Sequence, residues 1–325
     1  MTAIKYKPYR ELLYLFPPLL VYLFAGFLFE LSVDPDVSVI QNLLAVVKGN
    51  ATHDLPHQLI ELKARYVWLA SALLQIVVSV MSIMMSVRVI KLYIRRPQLA
   101  WTIVVSTALC IATIGHMLYS ARTENAFFEL IFGFTYKMLA RSEIFSGAFL
   151  LHVYIIISIL NILASITPIF LLMAVCATLC LPMAPCHLPI FYMARRMRRL
   201  KEIINFASAF LVFGILHMSM WLNWAASLFD EPELSSKIAG VAWSISAYWG
   251  VAFTLVLTVT YLSSTIHLKN QAQKQITRGN KGIDPNEVGQ LLDKHGFTFT
   301  INNQLTQCIS IMAPFLAAPI SHAFF

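Results

Sequence analysis

Asn303, Gln307, Ser310 and Pro314 follow one another at i, i+4, i+7 and i+11 in an otherwise apolar stretch, His295 to Phe325, reading HGFTFTINNQLTQCISIMAPFLAAPISHAFF. On a 3.6-residue period they form one narrow polar stripe. Carboxamides and hydroxyls so placed can do two things. They can wet the wall of an ion pathway, or they can hydrogen-bond to neighbouring helices and hold the segment in a bundle. Contact with lipid is excluded, because polar groups at membrane depth must face protein or water. Thr306 and the neighbouring Asn302 and Gln304 add to the polarity of the same half.

A second group lies upstream. His116, His152 and His217 fall at similar depth in three different apolar segments, and neutral imidazoles on neighbouring helices are good haem or transition-metal ligands, with Met117, Met218 and Met220 close in sequence. The other reading makes each a hydrogen-bonded residue between helices, and no metal or cofactor is assigned. His116, His152 and His217 also group with Tyr154, Trp221, Trp243, Tyr248 and Trp249, and with Trp68 and Trp224, in the same halves of their segments. A mixed aromatic and polar lining of that kind suits a small organic ligand. An interfacial belt of Trp and Tyr accounts for part of it. Cys176, Cys180, Cys186 and His187 resemble a metal set only loosely and read as small buried side chains. His53, Asp54 and His57 carry a proline between them, which breaks the helix that would align them.

These residues need positioning elements, and composition says which. Of the 325 residues 58% are hydrophobic and 12% charged, with a mean hydropathy of +0.70, values expected of a polytopic membrane protein. Apolar segments predict spans at about 12–29, 66–87, 99–119, 144–181, 204–228 and 238–266. The fourth is a long bent helix with Pro168 inside it, ended by Pro182, Pro185 and Pro189. The connection FFELIFGFTYKMLAR suits a helix lying at the interface. A hydrophilic linker, 267–284, and a short amphipathic helix, 285–294, lead into the final span, giving domains 1–266, 267–298 and 299–325. Pro17 and Pro18 interrupt the first apolar run and no small-residue cleavage site follows, so the first span is expected to be retained.

Charge then sets the orientation. Seventeen of the 24 Lys and Arg residues fall on the side holding the N-terminus, the second and fourth connections and the 267–294 linker, against five acidic residues. The opposite side holds seven basic and eleven acidic residues. The basic side is therefore expected to be cytoplasmic, with the C-terminus outside after seven crossings. The net charge of +8 is a topology signal and gives no reason to expect nucleic acid. The Asn50-Ala51-Thr52 sequon falls on the outer side. Five cysteines scattered through apolar segments suggest buried thiols and no disulfide framework.

Several function classes lose support at this point. Apart from histidine, the deep parts of the spans carry no ionisable side chain of the kind that coupled transporters use. There is no internal repeat, phosphate loop, HExxH or serine-nucleophile motif, so no catalytic residue is assigned.

The segment LLDKHGFTFTINNQL, Leu291 to Leu305, is similar to the part of insect gustatory receptors where a cytoplasmic helix passes through a Gly-Phe-Phe-like junction into the last span. Seven spans, a long fourth helix and a polar last span likewise resemble the insect gustatory and odorant receptor superfamily. The family's C-terminal pattern of Thr-Tyr, five apolar residues and Gln-Phe is absent, with Pro314, Phe315, Ser321 and His322 standing about there. The resemblance implies a tetrameric, ligand-gated cation channel whose last span lines the pore. On that expectation the chain is a multi-pass cell-membrane homotetramer, with the lipid bilayer and a small-molecule ligand as its partners. Gln307 would lie at a narrow point and Asn303 nearer the cytoplasm. Alternatives are a haem or metal electron-transfer or assembly subunit, a transporter-like subunit, and a membrane-pore effector.

Overall fold

The computed structural model describes residues 11–31, 55–94, 96–123, 128–142, 144–180, 190–229, 231–279, 284–297 and 301–322. Among them every regular element is helical: α1 (Phe16–Leu31), α2 (Leu55–Tyr93), α3 (Arg96–Thr123), α4 (Phe134–Arg141), α5 (Gly147–Leu179), α6 (Ile190–Ala226), α7 (Pro232–Gly279), α8 (Pro285–Lys294) and α9 (Ile301–His322). A 3-10 turn, Glu11–Leu15, precedes α1, and a π-helical turn, Glu129–Gly133, precedes α4. Six helices among the described residues are long and apolar enough to cross a bilayer, and α9 holds a shorter apolar helix, Leu305–Ile320. The chain is a helical membrane protein. Helices meet the constraint of an apolar solvent because each satisfies its own backbone.

Helix α6 is the hub, packing against α2, α5, α7 and α9 and meeting α4 at one end. Helix α3 touches mainly α5 and buries very little of its apolar length, whereas α7 buries about half of its own. The outward faces of α1 and α3 are accordingly greasy, with Phe24, Phe27, Ile103, Val104 and Ile111 exposed. Surfaces of this type mark contact with lipid or with another protein.

The two larger apolar cores lie at opposite ends, and a small third one joins Ile215 of α6 to Ala317 and Ala318 of α9. The first gathers Phe29, Trp68, Met138, Leu139, Trp221, Trp224 and Trp249. The second gathers Val89, Tyr93, Leu179, Met197, Leu200, Leu268, Leu292 and Phe297. The second exists because α2, α6 and α7 run to 39, 37 and 48 residues, where about 20 suffice for a crossing.

Two stretches differ from the sequence reading. The basic run RRMRRLK lies inside α6, which starts at Ile190 with no break before the apolar part. Residues 267–279, read as linker, continue α7 as helix. There His267 is engaged at both ring nitrogens, Nδ1 by the Tyr14 hydroxyl at 2.5 Å and Nε2 by the Gln271 amide, so the turn before α1 is clipped to α7. Helix α4 does not span and buries Phe134, Thr135, Met138 and Leu139 over the first core. Its π turn is pinned by Lys137 Nζ on both Glu129 carboxylate oxygens at 2.9 Å. The Asn50 sequon, His53, Asp54, Pro182, Pro185, Cys186, His187 and Pro189 lie outside the described residues.

The junction into the last helix has a specific geometry. Asp284 caps α8 by accepting from the Asn286 amide at 3.1 Å. At the other end Gly296 adopts φ +77°, the Phe297 amide reaches back to the Leu292 carbonyl at 3.0 Å, and the Gly296 amide reaches Asp293 at 3.0 Å. This is a Schellman turn, closed by apolar contact between Leu292 and Phe297 in the second core. Only glycine adopts that φ without strain. Gly296→Ala should therefore lower stability by about 1 kcal/mol and Gly296→Asn by less. Thermal unfolding of the purified protein checks this; an unchanged midpoint for the alanine variant would count against the turn's requirement for the left-handed conformation.

Candidate functional site

Helix α9 presents two unlike edges. Gln307 is buried, and its Nε2 donates to Asn205 Oδ1 on α6 at 3.2 Å. Ser310 is half-buried and donates to the Thr306 carbonyl at 3.0 Å. Pro314 is buried at the crossing with α7, where a Cβ added to Gly250 would lie 2.9 Å from the Pro314 carbonyl oxygen. Proline's missing amide leaves the carbonyl four residues back without its helical donor. That carbonyl belongs to Ser310, and the Ser208 hydroxyl of α6 donates to it. The edge of α9 holding Gln307, Ser310 and Pro314 thus faces α6 and α7 of its own chain, while Leu305, Ile309, Met312, Phe315, Leu316 and Ile320 form an exposed apolar edge. Asn303 belongs to α9, with its side chain outside what the structure describes.

The three histidines are not brought together. His116 and His152 are exposed, and His152 Nδ1 donates to the Ala148 carbonyl at 2.7 Å. His217 faces inward, with Nδ1 3.3 Å from Ser71 Oγ. Among the described residues no three His, Cys, Asp or Glu side chains are grouped to hold a metal. Cys176 and Cys180 are buried near the end of α5.

The aromatic residues divide as well. Tyr154 and Trp243 are exposed, and Tyr154 makes an edge contact with Tyr136. Tyr248 donates to the Ala25 carbonyl at 2.6 Å, and Trp249 packs against Phe29 and Tyr22, so this pair serves to seat α1 on α7. Trp221 joins Trp68 and Trp224 in a cluster with centroid separations of 5.4, 4.9 and 5.8 Å, and His217 lies 6.2 Å from Trp68. Helix α4 roofs this cluster, the Thr135 hydroxyl donating to the Trp221 carbonyl at 3.1 Å.

Beside the cluster sits a charged pair that sequence reasoning missed. Trp224 Nε1 donates to buried Glu61 Oε1 at 2.9 Å, and the same carboxylate takes Arg65 Nε at 2.9 Å, with a second contact through Nη2. Arg65 in turn lies over the Phe145 and Phe149 rings at 5.4 and 5.0 Å. Ser71 and Gln75 were missed too, although a signal for them exists. Ser71, Gln75, Ser79, Ser82 and Ser86 recur every three or four residues on α2, and all are buried. Gln75 fills the space beside Gly214, with its Nε2 3.6 Å from where a Cβ there would stand. Its Oε1 and the Nε1 groups of Trp68 and Trp221 have no hydrogen-bond partner. Two donors and an acceptor are thus left open along the α2–α6 seam, close to His217.

Compared with protein-family models, with curated proteins and with solved structures, the chain finds no match. Its chemistry therefore has to be read from the geometry.

Two substitutions probe that geometry. Ser208→Ala should cost about 1–2 kcal/mol by orphaning the Ser310 carbonyl, and much less in a Pro314→Ala background, where the restored backbone amide takes the carbonyl. A double-mutant cycle of thermal stability measures the coupling, and strict additivity would count against it. Glu61→Ala should cost about 1–3 kcal/mol by leaving the Trp224 indole and Arg65 without their acceptor. Glu61→Gln should cost less, because an amide oxygen still accepts from the indole; equal losses in chemical denaturation would contradict this.

Proposed function

We propose that this chain is a ligand-gated, weakly selective cation channel of the cell membrane, a homo-oligomer with α9 along the symmetry axis. The observation that carries the proposal is the two-edged character of α9. Its polar edge is held by a few exchangeable contacts, Gln307 to Asn205 and Ser208 to the Ser310 carbonyl, and its apolar edge is left exposed among the described residues. Copies of α9 around an axis would turn the apolar edges of Leu305, Ile309, Met312 and Leu316 toward one another and exclude water, a closed pore. Turning the helix about its close contact at Gly250 would bring Gln307 and Ser310 toward the axis, where neutral amides and hydroxyls admit ions without strong charge selection. Seven crossings, with the basic end in the cytoplasm, complete this reading.

The ligand is a small molecule bound at the seam between α2 and α6. Support comes from the open hydrogen-bonding groups of Trp68, Gln75 and Trp221 beside His217, under the roof of α4. A second reading is favoured by the hydrogen bond of Gln307 within its own chain: α9 as a purely structural helix in a subunit of a larger assembly.

Purified protein in planar bilayers separates the two. The channel reading expects a symmetric homo-oligomer, altered permeation in Gln307→Leu with surface expression retained, and raised ligand-free current in Ile309→Asn. Absence of current, or conductance unaffected by either change, would leave the structural reading standing.

A further inference from the structure

At the opposite end of the bundle Arg196 is a fully buried cation, 1% exposed, and among the described residues no carboxylate pairs with it. Its guanidinium lies over the Tyr93 and Tyr192 rings, 4.8 and 4.9 Å from their centroids. Nη1 donates to the Thr178 carbonyl at 2.9 Å and to that of Cys180, closing the C-terminal end of α5, and Nη2 donates to the Tyr192 hydroxyl at 2.9 Å. A helix C-terminus carries roughly half a negative charge, so this clamp compensates the cation only in part.

Two groups here are left over. Arg196 Nε and the Tyr93 hydroxyl are both buried and both without a partner. Each has a hydrogen to donate, so what is missing is an acceptor. The Tyr93 phenol also lies in the field of Arg195 and Arg199, as well as Arg196. Glu202 pairs with Arg199. A water molecule would satisfy the two donors and leave the positive field untouched; an anion with several oxygens would meet both needs.

We propose that Tyr93, Arg195, Arg196 and Arg199 form a binding site for a phosphoryl dianion, supplied by a phosphomonoester lipid headgroup or by free phosphate. The anion's oxygens accept from Arg196 Nε and the Tyr93 hydroxyl, and the exposed Arg195 and half-buried Arg199 close over it, Arg199 exchanging part of its contact with Glu202. The site joins the ends of α2, α5 and α6, so occupancy fastens three helices at once. It does not depend on the channel reading.

Thermal unfolding of the full-length protein in detergent tests this, with dioctanoyl phosphatidic acid, dioctanoyl phosphatidylcholine and inorganic phosphate as probes. Tyr93→Phe keeps the ring on which Arg196 stacks and removes only the hydroxyl; Arg195→Gln removes one charge and leaves the clamp. The expected result is a saturable rise in midpoint with phosphatidic acid and none with phosphatidylcholine, the half-saturating concentration rising about tenfold in either variant. A rise with inorganic phosphate as well identifies free phosphate as sufficient, and a rise with phosphatidic acid alone identifies the lipid. No rise with either phosphoryl probe, or a rise undiminished in both variants, overturns the site and leaves Arg196 as a helix clamp only.

Discussion

A polar group that loses its partner inside an apolar bundle has no water to turn to, and the arrangement around α6 follows from that constraint. Pro314 supplies no amide, so the Ser310 carbonyl of α9 takes a hydroxyl from Ser208 on α6. Gln307, one turn earlier on the same edge, takes Asn205 from the same helix. Ser71 on α2 meets His217 on α6, and the α4 hydroxyl of Thr135 meets a carbonyl of α6. Lipid is as apolar as leucine, so packing and contacts of this kind decide which helix lies against which. The helix that carries these contacts sits at the centre, and α3, which packs mainly on α5, sits at the edge.

The two ends solve different problems. At the aromatic end three indoles, two phenylalanines and the Glu61–Arg65 pair enclose one another beneath α4, with the carboxylate held by an indole as well as by its arginine. At the basic end helices longer than a crossing bring leucine and methionine together, and one buried guanidinium ties their termini. The first arrangement leaves hydrogen-bonding groups open along a seam. The second leaves uncompensated charge.

Helix class and approximate spans are legible in the sequence because apolar runs of twenty or more residues have few other outcomes. The Schellman turn is legible in part, since glycine between His295 and Phe297 after an amphipathic run is a stop signal. Continuous α6 and α7 were hidden for one reason: arginine and glutamine are good helix formers, so polarity ended the apolar pattern without ending the helix. The orientation of the stripe was hidden too. Periodicity places Gln307, Ser310 and Pro314 on one edge, but only the partners Asn205, Ser208 and Gly250 tell which way that edge looks. Equal depth likewise left His116, His152 and His217 unresolved, because depth says nothing about azimuth around each helix. Glu61 gives no signal of its role in the sequence, because its partner Trp224 lies 163 residues away.

The unbroken length of α7 has a mechanical meaning. Forty-eight residues in one helix make a rod of about 70 Å that passes through the first core, crosses Pro314 of α9 at Gly250 and ends beyond the second core. A tilt of about 5° around its midpoint would swing each tip by roughly 3 Å, a distance comparable with the length of a hydrogen bond. The Tyr14 and Gln271 contacts to His267 lie on the far arm of that lever, so the segment before α1 rides with it. Small angular adjustments beside the Trp249 cluster would thus be felt as whole ångströms at the opposite end, with no joint in between to absorb them.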